Sequence, residues 1–278
     1  MTLRVALVQT TTPADQAAAL DHALPLIEEA ARGGAQFILL PECANLVEQR
    51  RELKAGKLAH EGDDLFVVGV CDLARQLATP ILVGSVIIKA ENSDKAANRS
   101  LLIDANGDIV ARYDKVHLFD ADTPDGKSYR ESATMRPGEK VVVADVSFLG
   151  EEVGDLGLSI CYDVRFAYLY RTLAKAGVGM IAVPAAFTVS TGKAHWEVML
   201  RARAIETGAF ILAPAQGGAH EDGRTTYGHS LVVGPWGEVI ARLDHDRPGV
   251  LFAELDFNEV THARQALPQL RHDRELTV

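Results

Sequence analysis

Cysteine is scarce in this sequence, and long apolar runs are absent from it. The 278 residues include three cysteines without a C-x-x-C pair, which argues against a disulfide framework and a thiolate zinc site. No apolar run approaches the roughly 18 residues that span a bilayer. The opening residues MTLRVALVQ read as a strand and not as a secretory signal. We therefore expect a cytoplasmic protein without a membrane segment.

Basic residues are too few for the usual electrostatic partners. Lys and Arg total 28 against 38 Asp and Glu, a formal net charge of −10 at pH 7. No Lys/Arg-rich block occurs, so binding to nucleic acid or to an anionic membrane is not expected. Aromatic residues make up only 6%, but hydrophobic residues make up 47% and charged residues 24%, enough for a sizeable core. The sequence therefore indicates a globular protein whose partner is a small molecule.

Strand-length apolar runs alternate with helix-length amphipathic stretches along the chain. This alternation predicts an α/β fold with buried strands. The predicted strands are VALVQ, FILLPE, PILVGSVII, GLSIC, MIAVP and FILAPAQ, and the predicted helices lie at about residues 13–32, 63–77, 165–175 and 194–207.

The two halves of the chain resemble each other. SLLIDANGDIVAR from Ser100 aligns without gaps to SLVVGPWGEVIAR from Ser230, and each reads as a hairpin with a glycine in its turn, Gly107 or Gly237. No Pro/Ser-rich linker separates the halves. We therefore expect a single domain over residues 1–278, built from halves at about 1–140 and 141–278, with two separate domains as the alternative.

Glu42 breaks the similarity between the halves. It follows the run FILLP, at the position where the second half has Ala185. The carboxyl ends of strands form the ligand crevice of an open α/β sheet, so a carboxylate there can be partly desolvated and act as a general base. An exposed loop glutamate or a helix cap is the structural alternative.

Cys161 is the cysteine with a local reason to be reactive. It ends the run GLSIC and precedes a predicted helix, for which Asp163 is a plausible N-cap. A helix N-terminus favours a thiolate, and its free N–H groups can hold an oxyanion. Cys43 and Cys71 lack this setting, and a small buried hydrophobe is the structural alternative for Cys161 too.

Lys115 follows the first hairpin, within ARYDKVHLFD. Alone it reads as a solvated loop charge. Together with Glu42 and Cys161 it completes the set that thiol-dependent acyl transfer needs, which is a base, an oxyanion clamp and a nucleophile.

These motifs, FILLPE, YDKVHLFD and SICYDVRF, resemble the Glu-Lys-Cys signature of the nitrilase superfamily of carbon–nitrogen hydrolases. The resemblance runs from RVALVQ to the region of Pro268. It implies a four-layer αββα sandwich, a homodimer or a higher homo-oligomer, and no metal or organic cofactor. It also implies a second active-site glutamate, identified as Glu131 because the family residue precedes a serine, with Glu139 as the alternative.

Within the superfamily, STGKAHWEVMLRARAIET from Ser190 to Thr207 most resembles the deaminated-glutathione amidase branch. The resemblance implies hydrolysis of an amide C–N bond in a small carboxylate-bearing substrate through a thioester on Cys161. An ω-amidase acting on α-ketoglutaramate is the first alternative. A nitrilase or an N-carbamoyl hydrolase of the same superfamily is the next, because the catalytic signature does not separate amides from nitriles.

A carboxylate-bearing substrate needs specific arginines in so acidic a protein, because Arg offers a bidentate fork to a carboxylate. Arg165, two residues after Asp163, is the first candidate. The other candidates for the pocket wall are Tyr129, Arg130, Tyr162 and the stretch from Thr191 to His195.

Two readings from other function classes compete with the amidase. A papain-like hydrolase would pair Cys161 with His195, His220 or His229, but the sequence lacks the local signatures of such proteases. A non-catalytic binding protein would leave Glu42, Lys115, Glu131 and Cys161 without a structural purpose.

Overall fold

Over residues 2–274, which the computed structural model describes, the chain forms six α-helices. Their bounds are α1 Gln16–Arg32, α2 Arg51–Lys57, α3 Leu65–Leu77, α4 Ala167–Lys175, α5 Val189–Thr207 and α6 Asn258–Ala266. The long helices begin at capping side chains. Asp15 accepts hydrogen bonds from two N–H groups of the first turn of α1, Asp64 does so for α3, and Thr188 caps α5.

Sixteen strands accompany these helices within the same residues. Their bounds are β1 Thr2–Gln9, β2 Phe37–Leu39, β3 Ile81–Lys89, β4 Ala96–Ile103, β5 Ile109–Asp114, β6 Asp120–Asp122, β7 Ser128–Arg130, β8 Val143–Ala144, β9 Leu156–Leu158, β10 Met180–Ala182, β11 Phe210–Ala213, β12 Gly217–Ala219, β13 Thr225–Tyr227, β14 Leu231–Val233, β15 Val239–Arg242 and β16 Gly249–Asp256.

Two six-stranded sheets have matching plans. The first has the order β16-β1-β2-β3-β4-β5, and the second has β8-β9-β10-β11-β14-β15. In each sheet, the second, third and fourth strands are parallel and the others are antiparallel. The aligned hairpins are β4–β5 and β14–β15, and their turn residues Gly107 and Gly237 have φ of 80° and 90°, a region that glycine adopts at little cost.

Alternate residues of each strand lie in different apolar layers. Leu3, Val5 and Leu7 of β1 pack with Leu156 and Leu158 of β9 in the core between the sheets. The intervening residues of β1 pack in a second cluster with α1 and α3, while α4 and α5 cover the other sheet. Both faces of the strands are therefore buried, which explains their continuous apolar runs. The α/β prediction and the four-layer αββα sandwich are confirmed.

Helix boundaries differ from the predicted ones by a few residues. The helix expected from residue 194 begins at Val189, because Thr188 supplies the cap, and the helix expected from Pro13 begins at Gln16. The strand β16, which periodicity did not indicate, completes the first sheet beside β1. Within residues 2–274, none of the helices is long and apolar enough to cross a membrane.

Candidate active site

Glu42 lies at the carboxyl edge of the first sheet, where the chain leaves β2. Its carboxylate is buried and accepts three hydrogen bonds, from Lys115 Nζ at 2.8 Å, from Asn98 Nδ2 at 3.0 Å and from the Ala186 backbone N–H at 2.9 Å. The last of these comes from the second sheet's half of the chain. Glu42 is therefore a fixed carboxylate at the junction of the two halves, not an exposed loop residue.

Lys115 stands between two carboxylates directly after β5. Its side chain is 2% exposed, and Nζ donates to Glu42 and, at 2.9 Å, to Glu131 Oε2. Burial alone would lower the pKa of Lys115, but the negative charges of Glu131 and Glu42 raise it well above its ordinary value. Lys115 is therefore a permanent cation at this site.

Glu131 is held from three sides in the turn after β7. It accepts hydrogen bonds from Lys115, from Asn98 Nδ2 at 3.1 Å and from the Phe119 backbone N–H at 2.7 Å. Burial alone would raise the pKa of Glu131, but the Lys115 charge and these hydrogen bonds lower it. The carboxylate is therefore ionised and orients Lys115.

Cys161 lies on a sharp turn between β9 and a five-residue 3-10 helix, Cys161–Arg165. Its φ is +50°, the left-handed region that a non-glycine residue enters at some cost in strain. Its backbone N–H donates to the Pro184 carbonyl at 2.9 Å. Burial raises the pKa of the Cys161 thiol well above its ordinary value, and the Glu42 charge and hydrogen bond raise it further, against the opposing Lys115 charge.

The expectation that a helix start favours the Cys161 thiolate is therefore wrong. The short 3-10 helix provides too little dipole to offset burial beside the Glu42 carboxylate. The resting site instead contains a protonated thiol next to a carboxylate that can accept its proton. This arrangement still provides a nucleophile, because the proton can leave as the sulfur attacks.

Asp163 is also not the N-cap of α4. Its fully buried carboxylate accepts hydrogen bonds from the Ile160 N–H at 2.8 Å, from the Tyr113 hydroxyl at 2.7 Å and from the His117 N–H at 3.0 Å. Tyr113 and His117 flank Lys115 in sequence. Asp163 therefore ties the segment that contains Lys115 to the turn that contains Cys161.

The four predicted catalytic residues meet in one pocket of about 280 Å³. Tyr129, Arg130, Tyr162, Arg165 and Thr191, which the sequence singled out, also line this pocket. Arg165 lies over the rings of Tyr162 and Phe187, at 5.8 and 5.7 Å from their centroids. His195 is not part of the pocket wall but contacts Arg165 Nη1 through Nδ1 at 3.3 Å. Arg130 pairs with Asp122.

The histidines of the papain-like alternative have partners other than Cys161. His220 is buried between the Thr12 carbonyl and the Thr226 hydroxyl. His229 stacks on Tyr227 with ring centroids 4.1 Å apart. This geometry leaves the Glu42 carboxylate, and not one of these imidazoles, beside the thiol. Among the residues from 2 to 274, no group of three or more His, Cys, Asp or Glu side chains is placed to hold a metal ion.

Three residues of the site were missed by sequence reasoning. Asn98 donates to both active-site glutamates, and its only signal is a polar residue inside a buried strand. Lys54 and Arg224 also line the pocket. Both occur in polar stretches that read as surface, so the sequence offers no signal for them.

The whole chain matches proteins of known family. The carbon-nitrogen hydrolase family model covers residues 4–265. The deaminated glutathione amidase of Synechocystis sp. is 40% identical over 269 residues, which are 96% of each chain.

Solved structures agree with this relationship. The C. elegans NitFhit protein superposes with a TM-score of 0.88 at 34% identity, covering 98% of this chain and 65% of that one. An amidase from Nesterenkonia sp., whose structure shows acrylamide added at the active-site cysteine, is 27% identical with a TM-score of 0.77, covering 96% and 98% of the two chains.

Proposed function

This chain belongs to the carbon-nitrogen hydrolase family and is an amide-hydrolysing enzyme, and on that premise we propose that it is a deaminated glutathione amidase that uses Cys161 as its nucleophile. The observation that carries the proposal is the buried contact of Glu42, Lys115 and Glu131 beside the Cys161 thiol. The similarity to deaminated glutathione amidases over almost the whole chain supports the choice of substrate.

Acylation begins with proton transfer from the thiol to Glu42. As Glu42 takes the proton, the sulfur forms a bond to the amide carbon and the carbonyl π electrons move to oxygen. The tetrahedral intermediate then breaks its C–N bond, and the amine leaves with the proton that Glu42 held. This leaves a thioester on Cys161. Water attacks the thioester while Glu42 again accepts a proton, and the acid leaves as the thiol reforms.

Lys115 and a backbone N–H stabilise the oxyanion. Lys115 is a fixed cation in a site with little water, where its charge acts strongly. Tyr162 lies in the first turn after the nucleophile, where backbone N–H groups lack an intrahelical acceptor. Glu131 holds Lys115 in place from the side opposite Glu42. Each oxyanion donor is expected to contribute about 10²–10³-fold to the rate.

Arg165 is the proposed partner of a substrate carboxylate. It lines the pocket four residues after Cys161, and its contacts within the described part of the chain are aromatic rings, His195 and Met199, without a carboxylate. A guanidinium in this state is free to bind an acidic substrate bidentately. Tyr129, Tyr162 and Thr191 complete the adjoining wall.

The decisive experiment measures product release by the purified protein from deaminated glutathione, α-ketoglutaramate, a simple nitrile and an N-carbamoyl amino acid. Release of cysteinylglycine from deaminated glutathione alone supports the proposal. Ammonia release from α-ketoglutaramate instead moves the protein to the ω-amidase reading. Cys161→Ala is the control, and turnover by this variant above background would refute the thioester mechanism.

We further propose that residues 1–278 form one domain and that the protein is a cytoplasmic homodimer or a higher homo-oligomer. The core between the sheets takes residues from both halves of the chain, which supports one domain. Val198 and Trp236 are 62% and 59% exposed, and exposed large apolar side chains are typical of subunit interfaces. Light scattering of the eluting protein tests the oligomeric state, and a monomer would refute it.

A further inference from the structure

The active-site pocket is basic although the protein is acidic. Five basic side chains line it, namely Lys54, Lys115, Arg130, Arg165 and Arg224, against the acidic Glu42, Glu48 and Glu131. Each of these three glutamates already forms an ion pair. Lys115 lies between Glu42 and Glu131, and Glu48 pairs with Arg50 at 2.6 Å. The basic excess is therefore available to a ligand.

Arg130 is not part of this excess, because it pairs with Asp122 at 2.9 Å. Arg165 is the carboxylate partner already proposed. Two further cations remain, Lys54 on α2 and Arg224 directly before β13, and the proposed chemistry uses neither of them. Their position in a substrate pocket requires another explanation.

Lys54 makes no close polar contact within the described part of the chain. Among residues 2–274, its ammonium makes neither a hydrogen bond nor an ion pair, although the residue is partly buried in the pocket wall. Burial lowers the pKa of Lys54, and the Arg224 charge adds to this effect, against the opposing influence of Cys43, Glu131 and Asp222. Two cations thus line the same pocket, and the charge of one acts on the other.

Arg224 is only partly satisfied. Its Nη2 lies 3.5 Å from Asp222 Oδ2, beyond a good hydrogen bond, and its Nε is buried without a hydrogen-bond partner. The side chain is 21% exposed, and the Asp222 side chain is fully buried. Asp222 therefore orients the Arg224 guanidinium through Nη2 and leaves the Nε–H donor of Arg224 without an acceptor. A buried donor without an acceptor costs free energy unless a ligand supplies one.

The pair lies on the side of the pocket where Cys43 lies. The charges of Arg224, Lys54 and Lys115 all act on the thiol of Cys43, the residue after Glu42. Arg165 contacts a different set of residues, the rings of Tyr162 and Phe187. The pocket thus has a pair of cations on the Cys43 side in addition to Arg165.

We propose that Lys54 and Arg224 form a second carboxylate-binding subsite, which holds a substrate carboxylate other than the one at Arg165. A carboxylate placed there would accept charge-assisted hydrogen bonds from both side chains and relieve their mutual repulsion. The enzyme then selects amides with two separated carboxylates over amides with one.

This inference rests on the proposed function, and it explains the substrate. Deaminated glutathione has two carboxylates, one on the keto-acid end and one on glycine, whereas α-ketoglutaramate has one. Arg165 alone would bind one carboxylate of either compound and would not distinguish them. A second subsite favours the larger dicarboxylate, because each additional charge-assisted contact strengthens binding by about 10-fold.

The test measures binding separately from turnover. Calorimetry with the Cys161→Ala protein gives the Kd for deaminated glutathione, for its glycine amide and for α-ketoglutaramate. Lys54→Gln, Arg224→Gln and the double variant are then made in that protein. Gln removes the charge and keeps hydrogen-bonding groups. Arg51→Gln on the exposed side of α2 is the matched control, and Arg224→Lys should restore most of the affinity.

We expect the double variant to weaken binding of deaminated glutathione about 10–100-fold, with less than a threefold change for at least one of the two monocarboxylates. An equal loss for all three ligands, an unchanged Kd for the dicarboxylate, or no binding of any of them to the parent would overturn the subsite. Binding with this pattern but without turnover by the active enzyme would refute only the proposed function. Turnover with an unchanged Kd would refute only the subsite.

Discussion

Replacement of Lys115 by methionine removes the one cation between two buried carboxylates. The ammonium lies 2.8 Å from Glu42 and 2.9 Å from Glu131, and the three side chains are 2%, 5% and 17% exposed. Without it, the two carboxylates keep the Asn98 amide and one backbone N–H each, from Ala186 and Phe119, but neither keeps a cation. Loss of one partner of a buried ion pair costs about 3–5 kcal/mol. At an unfolding entropy of about 2.1 cal/mol/K per residue, the melting temperature of a chain of 278 residues should fall by roughly 5–9 °C.

The double variant Lys115→Met/Glu131→Gln tests whether the loss of stability comes from the uncompensated carboxylates. It has one buried negative charge fewer than Lys115→Met, so we expect it to be more stable than the sum of the two single changes predicts. Thermal unfolding followed by circular dichroism, with urea unfolding beside it, measures the difference. Lys140→Met, at an exposed position, should change stability by less than about 0.5 kcal/mol.

Activity should not recover together with stability. Both Lys115 variants lack the oxyanion cation and should lose about 10²–10³-fold in kcat. Two results would refute the account of the site as two carboxylates held by one ammonium. One is a double variant whose loss of unfolding free energy equals the sum of the two single losses, and the other is a Lys115→Met protein as stable as the parent.

Three other changes test separate parts of the site. Asp163→Asn should lower kcat about 10–100-fold by loosening Lys115. It should also destabilise the protein more than Tyr113→Phe, which removes only one hydrogen bond of Asp163 and costs about 1 kcal/mol. Equal losses of stability in urea unfolding would contradict the positioning role of Asp163. Arg165→Ala should raise KM for carboxylate-bearing amides about 10–100-fold with kcat unchanged, and an unchanged KM would exclude it as the carboxylate partner. Glu131→Gln should destabilise the protein most at neutral pH. The pKa of Glu131 is lowered in the folded state, so its stabilisation is present above the unfolded-state pKa of about 4.3 and is lost as pH falls through the folded-state pKa. Urea unfolding at pH 7, 5 and 3 measures this, and a pH-independent difference would contradict it.

The fold was predictable because apolar strand-length runs alternate regularly with amphipathic stretches and because the two halves of the chain are similar in sequence. Strands buried on both faces give unbroken apolar runs, and the hairpins with Gly107 and Gly237 mark the same element in each sheet. The contacts of the site are less accessible to sequence reasoning. Asn98 meets Glu42 across 56 positions in the chain and Glu131 across 33. Such a contact exists only after the strands have taken their order, so no local pattern reports it.

The protonation state of Cys161 could not be predicted for a related reason. A cysteine after a strand and before a helix suggests a stabilised thiolate, but the segment that follows is one short 3-10 turn, and burial beside Glu42 dominates. Sequence shows which charges exist. The sign of a pKa shift depends on which of them lie within a few ångströms, and on how much water remains.

The site exists only where the two halves of the chain meet. Glu42 comes from the first half and accepts a hydrogen bond from the Ala186 N–H of the second half. Pro184, two residues before Ala186, accepts the hydrogen bond of the Cys161 N–H. The loops after β2 and β10 approach each other over Gly84, where an added Cβ would lie 2.0 Å from the Leu40 carbonyl oxygen and 2.4 Å from Pro184 Cβ. A side chain at that position would therefore push apart the loops that hold Glu42 and Pro184. The close packing of the two sheets therefore also brings the Glu42 loop of one half against the loop of the other half that contains Ala185, the counterpart of Glu42.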